Sequence, residues 1–256
     1  MSGDPLLYER SGSAAVITFN RPEKLNAITI RTLELFDEYT RAADADDDVA
    51  ALIITGTGDR AFSAGGDLDA MIPRIAEGTY DVVTDSSKRF LSDCFKPVIA
   101  AVNGLCTAGG LEIMLGTDIR VAARSATFGL GEVRWGVVPG AGSHIRLPRQ
   151  VPWAVAMQLL LVGDPIDATR AYEVGLVNEV VEDGQALERA LQIVERLAEN
   201  GPLAMRTAKE IAVRALSLEG PFALEHALSR RVMASDDAKE GPRAFIEKRR
   251  PNFRGR

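Results

Sequence analysis

Residues 97–122 read PVIAAVNGLCTAGGLEIMLGTDIRVA, and this stretch decides the fold class. The short apolar run after Pro97 predicts a buried strand over Val98–Val102, because strands covered on both faces are typically apolar throughout. The pair Gly109-Gly110 opens a predicted helix, and the run Ile119–Ala122 predicts another strand. A strand, a helix and a strand in succession indicate an α/β protein.

The chain before this stretch follows the same alternation. Leu6–Glu9 and Ala14–Phe19 predict a hairpin, because turn residues separate two β-rich runs, and Val49–Thr55 predicts a further strand. Apolar residues at helical spacing after a Thr29 cap predict a helix between the hairpin and that strand. A second helix is predicted over Tyr80–Phe95. These elements extend the α/β pattern toward the N-terminus.

The pattern changes beyond Pro139. Strand signals almost vanish there, apart from Leu176–Val181, and helical spacing dominates from Ala154 to Phe253. We therefore predict a core over residues 1–200, which carries the site, followed by a helical C-terminal region over residues 201–256. The apolar side chains of that region exceed what a tail with little sheet could cover, which predicts an oligomer: they include Phe222, Leu224 and Leu228.

Composition sets the broad class of the protein. Its 256 residues are 46% apolar and 26% charged, as is typical of a soluble globular chain. No apolar run approaches the roughly 18 to 20 residues that cross a bilayer, and no signal-peptide pattern is present, so we expect a cytoplasmic protein without membrane contact. The formal net charge of -6 argues against nucleic acid as a partner, because no net positive field attracts a polyanion.

The rarer residue types exclude further chemistry. Cys94 and Cys106 lie in apolar surroundings without CxxC spacing, so we interpret them as structural thiols. His144 and His226 are the only histidines, which leaves no clustered ligand set and predicts no metal site. Ser143 beside His144 does not indicate a hydrolase, because adjacent residues rarely pair as nucleophile and base and no GxSxG motif is present. The sequence also lacks GxGxxG and Walker motifs, which removes the usual signals of a nucleotide cofactor.

Two glycine-rich stretches are candidate ligand loops. They are Ala64-Gly65-Gly66-Asp67 and Ala108-Gly109-Gly110-Leu111-Glu112. Glycine lets the backbone approach a ligand closely, and unpaired N–H groups at a helix start favour negative charge, so two such loops could converge on one oxyanion. Each stretch alone is also compatible with an ordinary turn.

Two acidic residues lie in apolar settings. Glu112 comes three residues after Gly109, so its carboxylate projects from the first turn of the predicted helix, and Glu132 lies among glycine, apolar and aromatic residues. Two carboxyls in one apolar cleft would have raised or coupled pKa values, which suits general acid and base catalysis near neutrality. The alternative is that they are unrelated surface charges.

The order of motifs along the chain resembles that of the crotonase family. The stretches that carry this resemblance are Arg21-Pro22-Glu23-Lys24-Leu25-Asn26-Ala27, Ala61-Phe62-Ser63-Ala64-Gly65-Gly66-Asp67-Leu68, Asn103-Gly104 with Gly109-Gly110-Leu111-Glu112, and Phe128-Gly129 to Glu132 with Pro139-Gly140-Ala141-Gly142. The resemblance continues to Phe245–Pro251 and so covers nearly the whole chain. Within the family, the sequence is most similar to the enoyl-CoA hydratases.

This resemblance implies a spiral of ββα units followed by a helical C-terminal region, assembled as a homotrimer or a homohexamer. It implies hydration of a trans-2-enoyl-CoA thioester by syn addition of water. In that reaction the backbone N–H groups of Gly66 and Gly109 would hold the thioester oxygen. Glu112 would deprotonate the water, and Glu132 would deliver the proton to C2. No cofactor is implied, because coenzyme A is part of the substrate.

The resemblance also implies residues that bind coenzyme A, and it leaves alternatives open. The implied contacts are Lys24, Leu25, the backbone of Ser63, Ala64 and Asp67, and Phe245 and Lys248 near a neighbouring subunit. The presence of both glutamates favours a hydratase over an enoyl-CoA isomerase, another acyl-CoA dehydratase or a non-catalytic acyl-CoA binding protein. Thr107-Ala108 and Leu111 replace the commoner Leu-Gly and Cys, which leaves the preferred acyl group open.

Overall fold

The computed structural model describes residues 3–67, 69–71, 74, 81–83 and 85–255. Ten strands are found there: β1 Leu6–Ser11, β2 Ala14–Phe19, β3 Ala51–Gly56, β4 Ala61–Ser63, β5 Val98–Val102, β6 Leu105–Thr107, β7 Ile119–Ala123, β8 Thr127–Gly129, β9 Ile166–Asp167 and β10 Glu179–Val181. The α-helices with described bounds are α1 Ile30–Ala45, α2 Gly109–Met114, α3 Ser143–Gln150, α4 Trp153–Met157, α5 Ala168–Glu173, α6 Ala186–Ala198, α7 Pro202–Ala215, α8 Glu219–Met233 and α9 Asp236–Ile246. Short 3₁₀ helices cover Pro22–Lys24 and Glu132–Trp135, and a π-helical turn covers Gln158–Val162.

The strands form two sheets. The larger one has the order β1-β2-β3-β5-β7-β10, and the smaller one has the order β4-β6-β8-β9. In the larger sheet only the β1–β2 hairpin is antiparallel. In the smaller sheet β4, β6 and β8 run parallel, and β9 closes the edge antiparallel to β8. The predicted α/β class and the predicted hairpin are confirmed.

The larger sheet is covered on both faces, which explains its continuous apolar strands. Leu52 and Ile54 of β3 point into the main core, whereas Ile53 packs with Ile99 of β5 under α6. Ala190 of α6 is fully buried against that face. Alternate residues of one strand therefore fill two different cores, and neither face can be polar.

Chain connections pass repeatedly from the larger sheet to the smaller one. β3 precedes β4, β5 precedes β6 and α2, and β7 precedes β8, so each turn of the chain adds one strand to each sheet. This winding is the spiral of ββα units that the family resemblance implies. It aligns the ends of β4, β6 and β8 at one edge of the smaller sheet.

Local signals account for the first long helix. Thr29 caps α1, with its hydroxyl accepting from the Thr32 amide while the Thr32 hydroxyl accepts from the Thr29 amide. Such a reciprocal cap satisfies two amides that have no partner inside the helix. Leu35 and Phe36 of α1 are buried, so the predicted helix and its cap are confirmed.

The helix predicted over Tyr80–Phe95 is wrong where the structure describes it, at 81–83 and 85–95, because those residues form turns. Asp85 accepts hydrogen bonds from the amide and the hydroxyl of Ser87, and Ser92 accepts one from the Arg89 amide. Short polar side chains here bind the nearby backbone in place of helical partners. Tyr80 itself lies outside the described residues.

The strand predicted over Leu176–Val181 is shorter than expected. Only Glu179–Val181 pairs, with β7, while Leu176 and Val177 are buried in the turn that follows α5. Their apolar character therefore reflects burial and not strand pairing.

The C-terminal helices differ from the rest of the fold in their coverage. α7 has no buried residue, and its Leu203 and Ile211 are 79% and 65% exposed. On α8, Leu224 and Leu228 are exposed as well, while Phe222 is buried. The boundary predicted at residue 200 falls between α6 and α7, and the division into two regions stays a prediction. No helix in the described ranges is long and apolar enough to cross a membrane.

Candidate active site

The candidate site lies where three parallel strands of the smaller sheet end. β4 leads into the loop with Gly66, β6 leads into α2 with Gly109, and β8 leads into the turn that carries Glu132. Parallel strands direct their carboxyl ends to the same edge, so these loops meet. They open on a cavity of about 650 Å³ whose lining includes Gly66, Gly109, Glu112 and Glu132. The two predicted glycines and the two predicted glutamates are thus brought together.

The two glycine loops touch one another. A Cβ placed on Gly109 would lie 3.7 Å from the Gly66 nitrogen, and one on Gly65 would lie 2.9 Å from the Gly109 nitrogen. Within the described part of the chain, neither the Gly66 amide nor the Gly109 amide donates a hydrogen bond. Both amides are therefore available to a ligand atom in the cavity.

The residue before the second loop glycine is strained. Ala108 has φ 50° and ψ -128°, a conformation that residues with a side chain rarely adopt. Such strain costs on the order of 1 to 3 kcal/mol and persists where the surroundings enforce it. Here the Ala108 amide donates to the Gly129 carbonyl, which fixes the turn into α2. The strain orients the first amides of that helix.

Glu112 lies in the first turn of α2, and its carboxyl is held at one oxygen. The Ala141 amide donates to Oε1 at 2.6 Å, and the Ser143 hydroxyl donates to the same atom at 3.3 Å. Burial, together with the charges of Glu132 and Glu225, raises the pKa of Glu112 to about 8, although the Ala141 amide acts in the opposite direction. Glu112 can therefore exchange a proton near neutral pH.

Glu132 begins the 3₁₀ turn after β8, and its carboxyl has fewer hydrogen-bond donors than that of Glu112. Its Oε2 is buried and accepts no hydrogen bond from the described residues. Burial raises the pKa of Glu132 to about 7. A buried carboxyl oxygen without a donor favours the protonated form, so Glu132 is suited to carry a proton.

A buried network behind Glu112 is absent from the sequence prediction. Glu225 of α8 accepts hydrogen bonds from Arg89 Nε at 2.9 Å and from the His144 amide at 3.2 Å. The charges of this ion pair are almost completely buried. Ser143, His144, Arg89 and Glu225 come from three distant parts of the chain, and no local spacing signals their meeting.

The wall of the cavity is apolar on one side and polar on the other. Ile28, Leu33, Met71 and Phe90 contribute apolar surface. The polar side is formed by α8, whose cavity-lining residues recur at helical spacing: His226, Ser229, Arg230 and Met233. Sequence reasoning missed this face, because the helical pattern of α8 does not indicate which side meets the cavity.

The residues implied in coenzyme A binding fall into three groups. Ala64 and Phe245 line the cavity, with Phe245 packed edge-on against Trp135 at 4.7 Å between ring centroids. Lys24 and Lys248 are exposed outside the lining, and Leu25 lies outside it in a left-handed conformation with φ 51°.

Ser63 and Asp67 serve the loop itself. The Ser63 hydroxyl donates to the Asn26 carbonyl and accepts from the Gly65 amide, which ties two of the family motifs together. The Asp67 amide donates to the Ile28 carbonyl, and its carboxylate pairs with Arg21 at 2.8 Å. Burial opposes the charged form of Asp67, but the Arg21 hydrogen bond and charge keep its pKa below the ordinary value.

Neither metal ligation nor thiol chemistry has support in the described ranges. No group of three or more His, Cys, Asp or Glu side chains there could hold a metal ion. Both cysteines are free and buried, and burial raises the pKa of Cys94 to about 11. These thiols are protonated at neutral pH and behave as packing residues.

Two sheets wound in ββα units, with paired amides and paired carboxyls at the strand ends, define a crotonase-fold protein. The family described as enoyl-CoA hydratase/isomerase matches residues 9–256, and the chain belongs to this family. The resemblance found in the motifs is thereby confirmed.

Individual relatives cover the whole fold. The chain is 40% identical to enoyl-CoA hydratase EchA19 of Mycobacterium tuberculosis, over 100% of its own length and 98% of that protein. It is 36% identical to a short-chain-enoyl-CoA hydratase of Clostridium acetobutylicum, over 96% of this chain and 95% of the relative. The crystal structure of a carnitinyl-CoA hydratase from Mycobacterium avium superposes with a TM-score of 0.89 at 36% identity, covering 99% of this chain and 100% of that one.

Proposed function

We propose that the protein is an enoyl-CoA hydratase that adds water to the double bond of a trans-2-enoyl-CoA thioester. The observation that carries this proposal is the meeting of the buried Glu112 and of Glu132, whose Oε2 is buried, beside two unbonded amides in one cavity, with the pKa values of both glutamates raised. The relatives named as enoyl-CoA hydratases support it. Retention of both carboxyls favours hydration over isomerisation, which needs only one.

The amides of Gly66 and Gly109 would act on the thioester oxygen. When water attacks C3, the electrons of the double bond move onto that oxygen, and the two N–H groups stabilise the resulting enolate. Removing one such donor in other enzymes costs about 3 to 4 kcal/mol of transition-state stabilisation. Because both donors lie in fixed loops, they need no rearrangement when the charge develops.

Glu112 and Glu132 would act on the same addition as base and acid. Ionised Glu112 takes a proton from the water as its oxygen bonds to C3, and protonated Glu132 gives its proton to C2. The net change is addition of one H and one OH to the same face, and proton exchange between the carboxyls resets the site. Positioned acid and base groups contribute roughly a hundred- to ten-thousandfold in rate.

Donor geometry supports Glu112 as the base. Two donors on Glu112 Oε1 stabilise its ionised form, whereas Glu132 Oε2 has no donor among the described residues. The order of the pKa values, about 8 for Glu112 and about 7 for Glu132, points the other way. The two carboxyls face one cavity and share their protons, and the donors on Oε1 favour placing the negative charge on Glu112.

The decisive experiment is a turnover screen with enoyl-CoA esters of increasing chain length. Loss of the conjugated thioester absorbance is followed for acyl groups from about four to sixteen carbons, and hydration of at least one is expected. Isomerisation of a 3-enoyl-CoA without hydration would replace the proposal with an isomerase. Tight binding without any turnover would indicate a silent acyl-CoA binding protein.

We further propose that the substrate is anchored through its coenzyme A moiety and that no separate cofactor is required. Ala64 and Phe245 line the cavity and support this position. Enoyl-CoA should raise the melting temperature while the free enoic acid should not, since a ligand stabilises only by binding the native state. Equal shifts from both compounds would contradict the anchoring role.

The protein is also proposed to form a homotrimer or a dimer of trimers. The exposed apolar side chains of α7 and α8, including Leu203, Ile211 and Leu224, support a partner copy on this face. Light scattering tests this proposal, and a species near the chain mass of 27.6 kDa at micromolar concentration would refute it.

A further inference from the structure

The contacts of Ser143 differ from those expected of a buried serine in a helix. Ser143 is the first residue of α3 and is fully buried. Its hydroxyl donates to Glu112 Oε1 at 3.3 Å and has no other partner among the described residues. Buried hydroxyls are usually satisfied by the backbone, so this one is directed at a carboxyl of the candidate site.

The turn that carries Ser143 is held from behind by Glu225. The neighbouring His144 donates its amide to Glu225 Oε1 at 3.2 Å, and its ring Nδ1 lies 3.3 Å from the same oxygen. Arg89 binds the other oxygen of Glu225 at 2.9 Å and the Phe222 carbonyl at 2.7 Å. α8 is thus anchored to the start of α3 through buried polar groups.

These contacts form a continuous chain from α8 to the candidate base. Arg89 fixes Glu225, Glu225 fixes His144, and the same turn presents the Ala141 amide and the Ser143 hydroxyl to Glu112. Both donors reach the same oxygen, Oε1. The other oxygen accepts no hydrogen bond within the described ranges, and Glu112 belongs to the cavity lining.

We propose that Ser143 is a positioning residue for Glu112, and that the buried Arg89–Glu225 pair acts through His144 to hold Ser143 in place. This inference rests on the proposed hydratase function and deepens it. Ser143 orients the carboxyl so that Oε2 faces the substrate, while Glu225 supplies a negative charge behind it. Neither residue touches the reacting atoms.

The two residues should act on the ionisation of Glu112 in opposite directions. The titratable and charged groups that act on Glu112 are Glu132 from the turn after β8, Glu225 from α8, and His144 and Arg146 from α3. A hydroxyl that donates to a carboxylate stabilises the charged form, so removing it raises the pKa of Glu112. The charge of Glu225 repels that of Glu112, so neutralising Glu225 lowers the pKa of Glu112.

The test measures kcat, KM and their pH profiles for Ser143→Ala and Glu225→Gln. The base must be ionised to act. Ser143→Ala should therefore shift the acid limb of the kcat/KM pH profile to higher pH by about half a unit, and Glu225→Gln should shift it to lower pH by a similar amount. Ser143→Ala should also lower kcat about five- to tenfold while KM stays within about twofold, as expected for misorientation of a bound base.

A matched control lies just after α2, the helix that carries Glu112. Thr117 is buried and donates its hydroxyl to the Met114 carbonyl at 2.7 Å, away from the cavity lining. Thr117→Val should lower the melting temperature without moving the acid limb. In a Glu112→Gln background, Ser143→Ala should cost less than about twofold in kcat, since a residue that acts through Glu112 has nothing left to position.

Several results would overturn the inference. These are an unshifted acid limb in Ser143→Ala, shifts of the same sign in both variants, or a full Ser143→Ala loss in the Glu112→Gln background. If Glu225→Gln fails to fold because Arg89 is left unpaired, the double variant Arg89→Met/Glu225→Gln should still shift the acid limb to lower pH. If the wild-type protein hydrates no enoyl-CoA, the proposed function fails. The carboxyl ¹³C titration of Glu112 then decides the positioning role without turnover.

Discussion

The turn that carries Glu112 and the turn that carries Glu132 reach the same cavity but are built in different ways. On the Glu112 side, Gly110 packs so closely on β4 that a Cβ would lie 2.6 Å from the Ser63 carbonyl oxygen. On the Glu132 side, a Cβ on Gly131 would meet its nearest atom at 3.9 Å. One carboxyl accepts from two donors and lies on a turn with a closely packed glycine, whereas the other has a buried oxygen without a donor and follows a glycine with open space around it.

Under the proposed mechanism, this difference teaches how one site can specify a base and an acid from the same residue type. A base that must direct one water needs a fixed orientation, which the Ala141 and Ser143 donors supply to Glu112. An acid must hold a proton and release it to carbon, so a buried oxygen without a donor suits Glu132. Environment and not residue identity separates the two.

The largest expected effect is on turnover. Glu112→Gln and Glu132→Gln should each lower kcat by at least about a hundredfold while coenzyme A ester affinity stays within a few fold, because each change removes an ionisable group but keeps its volume. The double variant should lose far less than the product of the single losses, since both residues act on one water. Steady-state rates and calorimetric affinities of the four proteins measure this.

Near wild-type hydration by either single variant would contradict the paired mechanism. If only Glu112→Gln were inactive, Glu132 would be dispensable, and a single-acid isomerase would describe the site better.

The next effect is on stability and tests the packing difference directly. Gly110→Ala should lower the free energy of unfolding by about 2 to 3 kcal/mol, because the new methyl group overlaps the backbone of β4. The matched change Gly131→Ala should stay within about 0.5 kcal/mol, since space is available there. Denaturant unfolding of both variants measures the contrast. Equal losses would mean that the two turns are equally constrained.

The smallest effect is the pH dependence of stability. The pKa values of Glu112 and Glu132 in the folded protein, about 8 and about 7, lie above the value of about 4.3 for an unfolded glutamate. Folding therefore favours the protonated forms, and their contribution is complete below about pH 4 and is lost as the pH rises through 7 and 8.

Glutamine variants reveal this contribution. Glu112→Gln should be more stable than the wild type by about 1 to 2 kcal/mol at pH 5.5, with almost no difference at about pH 3, where the wild-type carboxyl is neutral in both the folded and the unfolded protein. Glu132→Gln should show the same trend but level off about one pH unit lower, because the folded-state pKa of Glu132 is less raised. Thermal unfolding across this range measures both trends. A constant difference between variant and wild type would contradict burial as the cause.

Features with short-range causes could be predicted from the sequence. The apolar run of Val98–Val102, the Thr29 cap and the glycines that open α2 are each explained by contacts within a few residues or by burial on both faces. The glycine-rich stretches indicated only that two loops could converge, and the family resemblance singled out Gly66 and Gly109, which the structure places in the cavity lining.

Features with long-range causes could not be predicted. Glu225 binds His144 across 81 positions and Arg89 across 136, and the cavity-facing side of α8 depends on that docking. The helix predicted over Tyr80–Phe95 failed for a related reason. Arg89, whose side chain binds Phe222 and Glu225, lies in turns held by Asp85 and Ser92, and a helical pattern contains no information about such partners.

The contact between the two glycine loops limits how this site can be re-engineered. A side chain on Gly65 would lie 2.6 Å from the Ala108 Cβ, so the loops abut with no room between them. The contact between the two loops therefore fixes the distance between the Gly66 and Gly109 amide nitrogens before any ligand binds. An attempt to widen the spacing for a bulkier leaving group or a different electrophile would have to change both loops together, because a single substitution in either one would displace the other.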